Sequence, residues 1–287
     1  MSDNKKEIQE EALFEKMEVP FAKSKEKAWN ELLSKIEESE AEPKSKVITL
    51  SDNSRFNSMT YAIAASLTIF ISIAAFCRFY TTSMHATSGQ KLLCELPDGS
   101  SIQLNAGSSV EYKPYWWSFE RELLFEGEGF FEVKKGERFA VLSDLGRTEV
   151  LGTSFNIYSR ADKYEVYCKT GKVAVYSNKS GKKVELTPKM LASVNETHIG
   201  VGTEVEEGDA MGWSINVLSF KSDLLSDVFS EIERQYDVEI ELDPLIKSKR
   251  YTAYYKKPDN IEDLLTLICQ TFGLKFELKA NKTYRVY

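Results

Sequence analysis

The stretch Met59–Cys77, MTYAIAASLTIFISIAAFC, decides how this chain is organised. It is bracketed by Arg55 and Arg78, and the charge-free run reaches back to Phe56. Its nineteen residues, rising about 1.5 Å each in a helix, cover about 28 Å, close to a bilayer's hydrocarbon core of about 30 Å. Each Ile, Leu and Phe favours insertion by about 0.3 to 0.6 kcal/mol, whereas one central Arg, at about 2.5 to 3.5 kcal/mol, would cancel it. The run begins too far from the N-terminus for a signal peptide. It also lacks the polar face of a buried globular helix. The reading is a single transmembrane helix over residues 56–78.

Basic residues near the span set its orientation. Lys44, Lys46 and Arg55 precede it, whereas Arg78 is followed by no base until Lys91. This places the N-terminus in the cytoplasm and residues 79–287 outside.

Composition narrows the function classes. The 287 residues carry a net charge of −7, and both flanks of the span hold more acids than bases, so no general nucleic-acid coat is expected. Apolar residues make up 42% of the chain, enough for globular cores. The four cysteines, Cys77, Cys94, Cys168 and Cys269, form no C-x-x-C pair, and the two histidines are His85 and His198. Neither histidine has a setting for Ser-His-Asp catalysis. Hydrolase, zincin and phosphate-loop motifs do not occur in the sequence. Glu126 and Glu128 stand two apart and would share a face of a strand, as a cation site or acid pair, or as solvent-facing residues beside a glycine bend. The expectation is no enzyme, no cofactor and no metal.

The cytoplasmic residues 1–55 are highly charged. Trp29, Leu32, Leu33 and Ile36 recur at i, i+3, i+4, i+7, one face of a helix. Phe14 and Met17 mark an earlier helix around Lys5–Glu18, and Pro20 separates the two. Two such short helices bury too little apolar surface to stand alone. The Trp29 stripe suits a partner protein, with membrane contact or a closed helical hairpin as the alternatives.

Outside, residues 79–90 read as a juxtamembrane linker. Residues 91–212 read as all-β, because apolar and polar residues alternate and Gly-containing turns recur at short spacing. A sandwich, jelly roll or β-helix fits that pattern. Cys94 and Cys168 alternate with apolar neighbours as buried thiols, a bridge between them being the other option. Trp116 and Trp117, with Tyr115, form either core packing or a stacking platform. Residues 213–287 read as two βαβ repeats at an offset of 36, with Leu225 matching Ile261, Phe229 matching Leu265 and Ile232 matching Ile268. Ser222 and the pair Asp259 and Glu262 are the expected helix starts, and Asp237 and Gly273 the expected ends.

Several blocks of the β-region, in order, resemble the FecR family of transmembrane anti-sigma factors. They are Leu96-Pro97-Asp98-Gly99-Ser100, Leu104-Asn105-Ala106-Gly107-Ser108, Arg121 with Glu126-Gly127-Glu128-Gly129-Phe130-Phe131-Glu132-Val133, Val150-Leu151-Gly152-Thr153-Ser154-Phe155-Asn156, and Gly171-Lys172-Val173. Gly129 stands where the family usually has Ala, and Lys189 where a Gly is common. The C-terminal repeat resembles the secretin/TonB short N-terminal domain, and the Trp29 segment resembles the family's short sigma-binding region. The resemblance implies a protein of a Gram-negative inner membrane, β-helix or jelly-roll-like in its periplasmic part. Trp29, Leu32, Leu33 and Ile36 would bind an extracytoplasmic-function sigma factor. The periplasmic part would respond to the N-terminal signalling domain of a TonB-dependent outer-membrane transporter. In some members signalling involves proteolysis near the membrane helix, which implies a membrane protease as a further partner. The competing reading is a membrane-anchored module that binds a ligand or glycan and has no sigma factor.

Overall fold

The computed structural model describes residues 23–40, 58–195 and 197–287. The expected helix around Lys5–Glu18 and the bases Lys44, Lys46 and Arg55 lie outside the described residues. The chain divides into two units, Met1–Ala65 and Ser66–Tyr287.

In the first unit, helix α1 (Lys25–Glu40) is exposed along its described length. Lys23 Nζ donates to Glu31 Oε2 at 2.6 Å. Helix α2 (Ser58–Phe79) begins in the first unit and ends in the second. Its stretch Met59–Phe79 is long and apolar enough to cross a membrane, with a mean hydropathy of 1.9 and none of it buried. At 21 residues and about 1.5 Å each, it measures about 31 Å.

Only Tyr80 and Thr81 separate α2 from the first strand, β1 (Thr82–Ala86). This corrects the linker expected over residues 79–90. Only Ala86 of β1 is fully buried, so the strand leaves almost no apolar pattern in the sequence and forms through pairing.

A sandwich follows. Its first sheet runs β1, β4 (Ser108–Tyr112), β5 (Arg121–Glu132), β6 (Phe139–Leu142), β7 (Gly146–Val150), β10 (Val173–Ser177), β11 (Lys183–Leu186). The second runs β2 (Leu92–Glu95), β3 (Ser101–Leu104), β5, β8 (Ser154–Arg160), β9 (Lys163–Thr170), β12 (Leu191–Val194), β13 (Ile199–Gly202). Within it, among the described residues, only β5 and β6 pair in parallel, and this antiparallel pattern replaces the β-helix expected as one alternative. Inward residues of both sheets, among them Val110, Phe131, Phe155, Val166 and Val175, form one core. Cys94 and Cys168 are free thiols inside it, as expected, and burial pushes Cys168 up to about 11.

Strand β5 serves both sheets. Leu123–Glu126 pair with β4, and Gly127–Glu132 pair with β8. The change occurs at Gly127, whose φ of +112° belongs to glycine. A Cβ there would lie 2.4 Å from Ser108 Oγ and 2.6 Å from Ser108 Cα. The bend also breaks the expected alternation, leaving Glu126 exposed and Glu128 buried.

Helix α3 (Glu207–Met211) and a 3-10 turn (Gly212–Ile215) lead into an α+β part. It contains β14 (Val217–Leu224), α4 (Leu225–Tyr236), β15 (Glu239–Leu242), β16 (Arg250–Lys256), α5 (Ile261–Phe272), β17 (Phe276–Ala280) and β18 (Thr283–Val286). Strands β14 and β16 form one sheet and β15-β18-β17 a second. Both helices are 12 residues long and end on left-handed residues, Asp237 and Gly273, as expected. Their starts differ from expectation. Strand β14 keeps its pairing through Leu224, so Ser222 sits at a bulge with φ +60° and caps nothing. The cap of α5 is Asn260, whose side chain accepts from the Glu262 amide at 3.0 Å. Leu225, Phe229 and Ile232 of α4 share a core with Leu265 and Ile268 of α5.

Replacing Gly127 with Ala combines a strained backbone with backbone overlap. A destabilisation of roughly 2–4 kcal/mol is expected, read as a lower denaturant midpoint; an unchanged midpoint would show that β5 can bend elsewhere.

Candidate functional site

The sandwich and the α+β part meet through polar groups. Glu128 on β5 is at the centre and is only 8% exposed. Its Oε2 accepts from Asn105 Nδ2 at 2.8 Å and its Oε1 from Asn156 Nδ2 at 3.2 Å. Asn105 Oδ1 in turn accepts from Gln235 Nε2 of α4 at 2.8 Å, and that amide also donates to Glu231 Oε1 at 2.8 Å. Arg234 completes the chain, donating to Glu231 Oε2 at 2.7 Å. On the other side, Asn156 Oδ1 accepts from Trp213 Nε1 at 3.2 Å, and its Nδ2 donates to Ala210 O at 3.0 Å. A single amide side chain thus bridges the sandwich to the turn that precedes the α+β part.

Further bonds frame this centre. The Gly89 amide donates to Arg234 O at 2.7 Å, and Lys163 pairs with Asp227 at 2.7 Å. Lys91 Nζ reaches Trp213 O and Asn216 Oδ1. Phe130, Tyr167, Met211 and Trp213 form a small apolar cluster beside them. A cleft of about 400 Å³ opens here, its lining including Glu128, Tyr158, Asp209, Asp227 and Glu231.

Burial, followed by the nearby Glu231 carboxylate, pushes Glu128 up to about 7, and its bonds to Asn105 and Asn156 and the Arg160 charge only partly oppose this. The Arg160 guanidinium is fixed by the Ala106 and Gly107 carbonyls, at 2.8 Å each. The site can therefore hold or release a proton at one buried carboxylate between the two parts. It does not set Glu126 and Glu128 together as an acid pair.

Asn105, Glu128 and Asn156 each lie in one of the sequence blocks singled out above, yet nothing in those blocks marks them as partners. Their convergence depends on the bend at Gly127 and on the β5–β8 register, in which Phe130 faces Asn156. Gln235 and Trp213 carry no motif, and only the fold reveals them. Among other blocks, Asp98 accepts from the Ser100 amide at 3.0 Å and from Arg121 Nε at 2.8 Å, so these residues hold a turn.

Other candidate residues lie elsewhere. Trp29, Leu32, Leu33 and Ile36 all lie on α1 and are 64%, 54%, 44% and 49% exposed. Trp117 is core, packed edge-on against Tyr112 and Phe139, while Trp116 is half-buried and Tyr115 exposed. His85 is exposed on β1, and His198 sits in an exposed turn with its amide bonded to Asn195 Oδ1 at 3.0 Å.

The upward shift of Glu128 by burial predicts a pH dependence of stability in a defined direction. Between its ordinary value of 4.5 and about 7, the folded chain holds this proton and the unfolded chain does not. Its contribution to stability therefore falls as pH rises through that window and is level above it. Melting curves from pH 4.5 to 8 are expected to lose this component in Glu128→Gln; an identical pH profile in the variant would place the titrating group elsewhere.

Residues 82–174 match the family described as FecR protein, and residues 217–286 match the family described as FecR, C-terminal. Two crystal structures of a "putative anti-sigma factor" from Parabacteroides distasonis ATCC 8503 resemble this fold. One has a TM-score of 0.66 and is 28% identical, over 72% of this chain and 99% of its own. The other has a TM-score of 0.65 at the same identity, over 72% of this chain and 98% of its own. Among curated proteins no match is found. The first family match begins at the first residue of β1, and the second spans β14 to the last residue of β18. With both parts matched, in order, to the strands and helices that build them, the chain belongs to the FecR family.

Proposed function

We propose that this chain is a single-pass anti-sigma factor of a Gram-negative inner membrane. Residues 1–55 hold an extracytoplasmic-function sigma factor in the cytoplasm, α2 crosses the membrane, and the sandwich and α+β part stand in the periplasm. The observation that carries the reading is the family match of both outer parts behind one membrane-length helix. The resemblance to the Parabacteroides distasonis structures supports it.

On the cytoplasmic side, the exposed Trp29, Leu32, Leu33 and Ile36 stripe has the chemistry of a docking face. On the periplasmic side, the partner is the N-terminal signalling domain of a TonB-dependent outer-membrane transporter. Two distant sites joined by one helix need a coupling step. A lone helix conveys little bending, so cleavage by a membrane protease or a change in assembly is the better coupling.

Trp29→Asp combined with Leu33→Asp separates this reading from a membrane-anchored ligand- or glycan-binding module. Losing two central anchors, each worth about 2 kcal/mol or more and so roughly 30-fold apiece, should weaken sigma-factor co-purification by well over 30-fold and change a sigma-dependent reporter. Unchanged co-purification and an unchanged reporter would leave only the binding module standing.

A further inference from the structure

Helix α2 does not end in isolation. Its last turn meets the loop between β4 and β5, residues 113–120. The Phe76 ring lies 5.1 Å from Tyr80 and 5.9 Å from Tyr115, and Tyr80 lies 5.4 Å from Tyr115. Arg78 stacks over Trp116 at 5.3 Å and pairs with Glu120 at 3.8 Å. Trp116 in turn packs on Phe119 at 4.7 Å. The buried Trp117 anchors the loop to the core from behind. Its outward aromatics stay uncovered, Tyr115 at 57% and Phe119 at 77% exposure.

From these contacts we propose that the β4–β5 loop is a second membrane contact, with Tyr115, Trp116 and Phe119 seated in the periplasmic interface of the phospholipid bilayer. The proposal rests on α2 crossing the membrane. Depth then follows from the helix. Phe76 is three residues, or about 4.5 Å, inside the Phe79 end of the apolar stretch. A ring touching Phe76 therefore lies at the hydrocarbon boundary. That is where amphipathic Tyr and Trp rings are stable and where an exposed Phe loses contact with water. Lys134 and Lys135 are exposed on the wall of the adjoining hollow, which Glu120 and Glu137 also line, so its charge is mixed and the aromatic rings carry the contact. Lipid is the fitting occupant because the apolar rings continue directly from the surface of α2.

The test uses the full chain with Cys77→Ser, reconstituted in phosphatidylethanolamine–phosphatidylglycerol vesicles. An environment-sensitive fluorophore is placed singly by Phe119→Cys, Tyr115→Cys, Ile69→Cys or Leu245→Cys, the other native thiols being buried. The Phe119 and Tyr115 positions are expected to emit at shorter wavelength than Leu245. They should also be quenched several-fold more strongly by lipids with a nitroxide near the headgroup than by lipids with one at the chain end. The Ile69 position should be quenched best by the chain-end nitroxide. Water-like emission at both loop positions, with Ile69 quenched, overturns the loop contact and leaves the membrane span intact. Water-like emission at Ile69 as well overturns the span and the loop contact together.

Discussion

The sandwich depends on one strand performing two pairings. Twelve-residue β5 gives its first half to one sheet and its second half to the other. The sheets share a core because this strand ties them, and the tie requires a residue that can turn where β4 presses close. Gly127 meets that requirement, with Ser108 against its face. The same bend rotates Glu128 out of the alternation and into the junction with the α+β part. Sandwich closure and interdomain contact are thus consequences of a single backbone conformation.

The junction is polar where an obligate domain contact would be apolar. Asn105, Asn156, Glu128, Gln235 and Glu231 satisfy one another, and the apolar cluster beside them is small. Such networks add orientation more than strength, because each group gives up water before gaining its partner. A buried carboxylate within it adds sensitivity to its surroundings. Interfaces of this kind hold two bodies in one arrangement while keeping the cost of separating them modest.

Much of this was legible in the sequence. Local periodicity was sufficient for α2, for the apolar faces of α4 and α5, for the Trp29 stripe and for the buried cysteines, since each is a statement about neighbours within a few turns. What escaped reading is non-local. Strand β1 has too few buried positions to announce itself. Ser222 looks like a helix cap, but the paired strand runs past it. The Glu128 cluster draws on β5, β8, α4 and the residues after β3, and its geometry exists only after the sheets have formed. Sequence blocks named Asn105, Glu128 and Asn156 without revealing that they meet.

The short passage from α2 to β1 has a mechanical consequence. Tyr80 and Thr81 can extend by only about 7 Å, so there is no slack between α2 and the sandwich. Tension along α2 is shared between β1 and the β4–β5 loop, which Arg78 and Tyr80 hold through Glu120, Trp116 and Tyr115. Among the described residues that strand is the outermost of its sheet, joined on one side only, through five residue pairs with β4. Peeling a border strand breaks its bonds in succession, whereas shearing it breaks them together. The direction of pull on the sandwich, as well as its size, therefore determines whether this margin of the sheet gives way.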